Sequence, residues 1–144
     1  KSAWRNPKYK IEKIAFNGFD IRGEYDIIID KNRDTSFKLS KGIYDTLYYY
    51  KANRKILPKE YNELIELLNY MDFPSLDKIY HERSSSHIIC ELTITYNNGK
   101  TKFILDFGME NNYSLKALYS KMEDLKNTVQ LKPAGYGLIS ELDD

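Results

Sequence analysis

Hydrophobic and polar positions alternate along most of the first third of the chain. From Tyr9 to Phe16, Tyr9 and Ile11 fall on one side and Ile14 and Phe16 on the other, the period of a half-buried strand. Asn17-Gly18 and Gly23 then read as the punctuation of a loop. Glu24–Lys31 alternates again, with Tyr25, Ile27 and Ile29 on one face and Asp26, Ile28 and Asp30 on the other. After the polar step Lys31-Asn32-Arg33-Asp34, two more strands are expected at Thr35–Ser40 and Ile43–Lys51. The second would set Tyr44, Thr46, Tyr48 and Tyr50 opposite Asp45, Leu47 and Tyr49, residue types suited to a pleated surface.

The period then changes. Pro58 fits the first turn of a helix, and Tyr61, Leu64, Ile65, Leu68 and Met71 repeat at helical spacing up to the break before Pro74. Leu76, Ile79 and Tyr80 suggest one short turn packed on the core. Ile88–Tyr96 and Lys100–Phe107 flank Asn97-Asn98-Gly99, the strongest hairpin signal in the chain. Ser114 can cap a second helix that reaches about Thr128 on the stripe Leu115, Leu118, Met122 and Leu125, widened by Tyr119. Pro133, Gly135 and Gly137 read as breakers in a tail, with Leu138, Ile139 and Leu142 clipped onto the body.

These elements predict an α+β fold: a two-layer arrangement in which two amphipathic helices cover an antiparallel sheet of about five to six strands. Residues 1–8 form an N-terminal arm, 9–128 a single domain, and 129–144 a C-terminal tail packed on or extending from it.

Composition narrows the function classes. Lys and Arg number 22 against 21 Asp and Glu, a balance unlike the basic excess of a nucleic-acid binder, so no nucleic-acid partner is expected. Cys90 is the one cysteine, so no intramolecular disulfide can form. No apolar run is long enough to span a bilayer. The chain opens on Lys1 rather than Met, which fits a mature or trimmed form, so the periplasm or cell envelope and the cytoplasm both stay open.

Chemistry-bearing residues are scattered. His81, Glu82, His87, Cys90 and Glu91 lie close in sequence, but a strand over 87–91 would put His87 and Glu91 on one face and turn Cys90 into the core. Ser84, Ser85 and Ser86 between the two histidines lack a nucleophile elbow. Asp26 and Asp30 could flank a sugar, yet alternation on a half-wet strand explains them. The expectation is a protein that is not an enzyme and carries no cofactor or metal, with a cryptic hydrolase or metal-binding protein built on His81, His87 and Glu91 as an alternative.

The 13 tyrosines stand out, and they concentrate around Tyr44–Arg54. Tyr48, Tyr49, Tyr50, Lys51 and Arg54 are the candidate binding residues, because tyrosine and arginine bury large area at interfaces for little lost entropy. The expected partner is another protein. The function expected is a non-enzymatic protein-binding module of the bacterial envelope, with an immunity protein neutralising an interbacterial toxin as an alternative.

One stretch carries a resemblance. Leu57-Pro58, Tyr61, Leu64, Leu67-Leu68, Met71-Asp72-Phe73, Ser75-Leu76 and Tyr80 resemble the helix of a small uncharacterised bacterial α+β domain family. Ile88–Phe107 and Leu115–Leu125 are similar to the hairpin and Leu-rich helix that follow in it, so residues 9–128 are covered in order. The resemblance implies exported or lipid-anchored proteins and no established activity. The family's usual Cys-Phe-Gly-x-Cys-Pro turn corresponds here to Phe16–Gly23, where both cysteines are missing.

Overall fold

A computed structural model describes residues 8–81 and 88–139. The chain forms β1 (Ile11–Asp20), β2 (Gly23–Asp30), β3 (Asp34–Ile43), β4 (Thr46–Lys55), α1 (Pro58–Tyr70), a 3-10 turn (Phe73–Ser75), β5 (Ile79–Tyr80), β6 (Ile89–Tyr96), β7 (Lys100–Phe107), α2 (Tyr113–Lys126) and β8 (Lys132–Leu138). All the strands join one eight-stranded sheet in the order β5-β7-β6-β1-β2-β3-β4-β8.

The fold class is α+β, but the sheet is larger than the five to six strands expected and is not wholly antiparallel. β5 runs parallel to β7, through Ile79 and Tyr80 opposite Leu105 and Asp106. Two residues are too few to show a period, so they read as a turn in the sequence. β8 pairs antiparallel with β4 along the opposite edge. Its Pro133 and glycines look like breakers, yet proline is tolerated on an edge strand. A register shift between Tyr49 and Tyr50 takes up Ala134 as the extra residue.

The expected loop at 17–23 is also absent. β1 continues through Asn17-Gly18 to Asp20, and only Ile21-Arg22 turn the corner. Asn17 holds that segment to β2 by donating from its amide to Glu24 and Asp26, each at 2.7 Å. Gly23 starts β2 at φ 142°, where an added Cβ would sit 2.2 Å from the Ser40 carbonyl oxygen. The Asn97-Asn98-Gly99 hairpin forms as expected, with φ values of 44°, 65° and 91°. The Glu12 carboxylate accepts from the Asn98 and Gly99 amides at 2.9 and 3.1 Å.

Alternation decides which side chains meet the helices. Ile14 and Phe16, Ile27 and Ile29, Phe37, Leu92 and Ile94, and Ile104 are all buried on one sheet face. Leu64 and Leu68 of α1, and Leu115, Leu118, Tyr119, Met122 and Leu125 of α2, close the core over them. Each fully buried Ile, Leu or Phe contributes about 1.5–3 kcal/mol of transfer free energy. Pro58 opens α1 as expected, and the Glu60 carboxylate accepts from the Leu57 amide at 2.7 Å. In α2 the cap is Asn112 rather than Ser114. Its side-chain oxygen accepts from the Leu115 amide at 2.9 Å, and Ser114 already lies inside the helix.

Among the described residues, the other sheet face carries no helix. Register places Glu91, Asn17, Asp26, Lys38 and Lys51 in one row across it. The acidic members lie toward the middle and the lysines toward the β8 edge.

Candidate functional site

Burial fades toward one end of the sheet. β1, β2 and β3 each carry fully buried residues, whereas no residue of β4 or β8 is buried. β8 and the Thr46–Lys51 part of β4 form a wing at the margin of the core, while Ala52 further along β4 still packs against it.

The tyrosine strand lies in this wing and splits by alternation. Ala52 pairs with buried Phe37, which puts Tyr48 and Tyr50 on the helix side. Tyr49 and Lys51 face the open side. Tyr44 is not on the strand: it occupies the turn before β4 at φ 57° and is 98% exposed. On the helix side the Tyr48 and Tyr136 rings lie 6.2 Å apart, and the Lys41 ammonium sits 5.9 Å from the Tyr50 ring centre. On the open side the Lys38 ammonium lies 5.0 Å from the Tyr49 ring centre. An ammonium held over an aromatic face contributes about 0.5–1 kcal/mol at an exposed site.

Arg54 has a different role in the fold. Its guanidinium grips the Glu60 carboxylate at 2.8 and 3.3 Å and donates to the Thr128 hydroxyl at 3.0 Å. It therefore ties β4 to the start of α1 and the end of α2. Burial works against the Glu60 charge, but the Leu57 amide and the Arg54 guanidinium outweigh it and hold the carboxyl below its usual range.

The structure adds wing residues that the sequence reading placed in the tail. Tyr136 is 76% exposed, and Leu138 and Ile139 are also exposed. The Ile139 and Leu47 side chains both approach Gly42. The available signal was Tyr136 and Leu138 alternating with glycines, masked by Pro133.

The remaining candidates do not converge among the described residues. His81 stacks on Phe107 with ring centres 5.1 Å apart, at the β5 edge. Glu91 stands on the open face two strands away, beside Asn17. His87 and the three serines lie outside the described residues. Among the described residues, no group of three or more His, Cys, Asp or Glu side chains is placed to hold a metal ion. Asp26 and Asp30 are separated by roughly 13 Å along their strand, beyond the spacing of a glycosidase pair. Asp30 instead caps the following turn by accepting from the Asn32 and Asp34 amides at 2.8 and 3.0 Å.

Polar chemistry does occur inside the core. Asp106 is fully buried and accepts from the Tyr119 hydroxyl at 2.6 Å and the Asn111 amide at 2.9 Å. Cys90 pairs with Asp106 across the sheet and is fully buried, the core position expected for it. Burial pushes its thiol up to about 12, so it stays protonated and is a poor nucleophile near neutral pH.

An eight-stranded sheet with two helices on one face and a two-stranded wing at its margin defines an α+β sheet domain. Residues 23–126 match the family model described as a domain of unknown function, DUF6438, and the chain belongs to that family. The match runs from β2 to the end of α2, so it includes β4 but not β1 or β8. It begins at the last residue of the Phe16–Gly23 stretch. No curated protein and no solved structure matches the chain.

Proposed function

We propose that this protein is a non-enzymatic binding module that docks another protein on the β4–β8 wing. One observation carries the reading: neither strand contributes a buried residue, yet together they present Tyr48, Tyr49, Tyr50, Tyr136, Leu47 and Leu138. Tyr48, Tyr50 and Tyr136 gather on the helix side and Tyr49 with Leu47 on the open side, and aromatic rings left this accessible together mark an interaction site more often than idle surface. Lys51 and Lys132 on the two strands and Lys41 at the end of β3 surround it, while among the described residues of β4, β8 and the β3–β4 turn Asp45 is the one acidic residue. That charge favours a partner face rich in carboxylates. No helix among the described residues is long and apolar enough to cross a membrane.

The same surface would serve a module of the bacterial envelope or an immunity protein whose partner is an interbacterial toxin. The hydrolase or metal reading draws no support from the positions of His81 and Glu91.

Paired substitutions test the surface: Tyr48→Ser with Tyr136→Ser on the helix side, and Tyr49→Ser with Lys51→Ser on the open side. Neither pair removes a buried side chain, so each lowers stability by less than about 1 kcal/mol. At least one pair weakens retention of the protein that co-purifies with the wild type by about tenfold or more. Wild-type retention by both folded pairs overturns the assignment.

A further inference from the structure

A cavity of about 120 Å³ opens between the β1–β2 hairpin and the C-terminal half of α2, away from the wing. Its wall includes Phe16, Gly18, Tyr25, Met109, Tyr119 and Met122. The cause is legible in the register. Gly18 stands between Cys90 and Tyr25 in a row on the helix-covered face, so a side chain is missing where the neighbours supply one. Its φ is not in the left-handed region, so the backbone does not demand glycine there.

Two features say what the cavity suits. Tyr25 is only 8% exposed, and its hydroxyl is buried without a hydrogen-bond partner among the described residues. A buried unpaired hydroxyl is costly, and natural structures retain few of them. The charges at the rim, by contrast, are already satisfied. Arg22 pairs with Asp20 at 2.8 Å, and Lys126 pairs with Glu123 at 3.0 Å while resting over the Tyr25 ring. No net charge is left for an ionic ligand. The volume is close to that of an engineered apolar cavity that admits one benzene ring. Two methionines give the wall a polarizable, adaptable surface suited to aromatic rings.

We infer that this cavity is a binding site for a small uncharged ring compound bearing one hydrogen-bonding group, which meets the Tyr25 hydroxyl. The site is independent of the wing and of the protein partner proposed there.

The test uses 4-methylphenol and toluene as probes, read on the methyl resonances of Met109 and Met122. Both shift saturably in the wild type, and 4-methylphenol binds with a dissociation constant below about 1 mM, about fivefold or more tighter than toluene. Tyr25→Phe abolishes that preference and, in the ligand-free protein, raises the melting temperature because an unpaired hydroxyl is gone. Gly18→Leu fills the gap and removes both responses. If Gly18→Leu does not fold, Tyr25→Phe still decides, since it deletes a single unpartnered atom. Shifts that stay linear in probe concentration, or a Tyr25→Phe variant that keeps the preference for 4-methylphenol, overturn the inference.

Discussion

Replacing Tyr119 by Phe removes one oxygen from the core and leaves a buried carboxylate short of a donor. Asp106 has no solvent contact, and its ligands are the Tyr119 hydroxyl at 2.6 Å and the Asn111 amide at 2.9 Å. Leaving a buried polar group short of a partner costs about 1–3 kcal/mol, so the expected loss is about 2 kcal/mol. For 144 residues that corresponds to about 7 °C in Tm. Asp106→Leu destabilises by a similar amount for the opposite reason, because it takes the acceptor from the buried Tyr119 hydroxyl, while the exposed Asn111 amide keeps its bond to the Phe107 carbonyl. The double variant loses no more than either single one, since the apolar pair leaves nothing from that bond unpaired. Urea unfolding followed by circular dichroism, with the m-value held constant as a check, gives all four corners of the cycle. A coupling of about 2 kcal/mol is expected. Additive losses, agreeing within about 0.5 kcal/mol, would refute the claim that the Tyr119–Asp106 bond organises this part of the core.

Three further outcomes follow from local geometry. Gly23→Ala forces a Cβ onto the Ser40 carbonyl and a side chain into φ 142°, so it costs about 3 kcal/mol and shows as a large fall in Tm. Gly18→Ala, with ordinary φ and a movable Phe16 ring as its nearest neighbour at 3.3 Å, changes stability by less than about 1 kcal/mol in the same assay. Glu60 has a folded-state pKa below its ordinary value of 4.5, so its contribution is present above that pH and is lost as pH falls through the folded value. The stability gap between wild type and Glu60→Gln is therefore about 1–2 kcal/mol at pH 7 and shrinks as pH falls below 4.5, as measured by urea titrations at several pH values.

Much of the fold was written in periodicity. Ile27 and Ile29 alternate, Leu64 and Leu68 recur one helical turn apart, and the Asn-Gly step sits between two apolar runs. Each is a local signal that burial on one face dictates. Errors fell where a local signal was overruled from a distance. Asn17-Gly18 looks like a loop, but β2 on one side and β6 on the other pair with it and extend the strand. Ser114 looks like a cap, but Asn112 reaches the free amide first. Lys132–Leu138 looks like a tail because proline and glycine are poor strand formers, and only the waiting edge of β4 makes it a strand.

The candidate site divides in the same way. The sequence determined that Tyr48 and Tyr50 face one side and Tyr49 and Lys51 the other, because a strand's side chains must alternate. It also determined that Cys90 points inward. Tertiary structure alone decided that this strand lies at the margin of the core, that Tyr136 joins it from some ninety residues away, and that Arg54 is spent holding Glu60 and Thr128. It alone decided that the missing side chain at Gly18 becomes a cavity beside an unpaired Tyr25 hydroxyl. Alternation is a property of consecutive residues, whereas coverage, pairing and empty space depend on what distant segments bring to the same place.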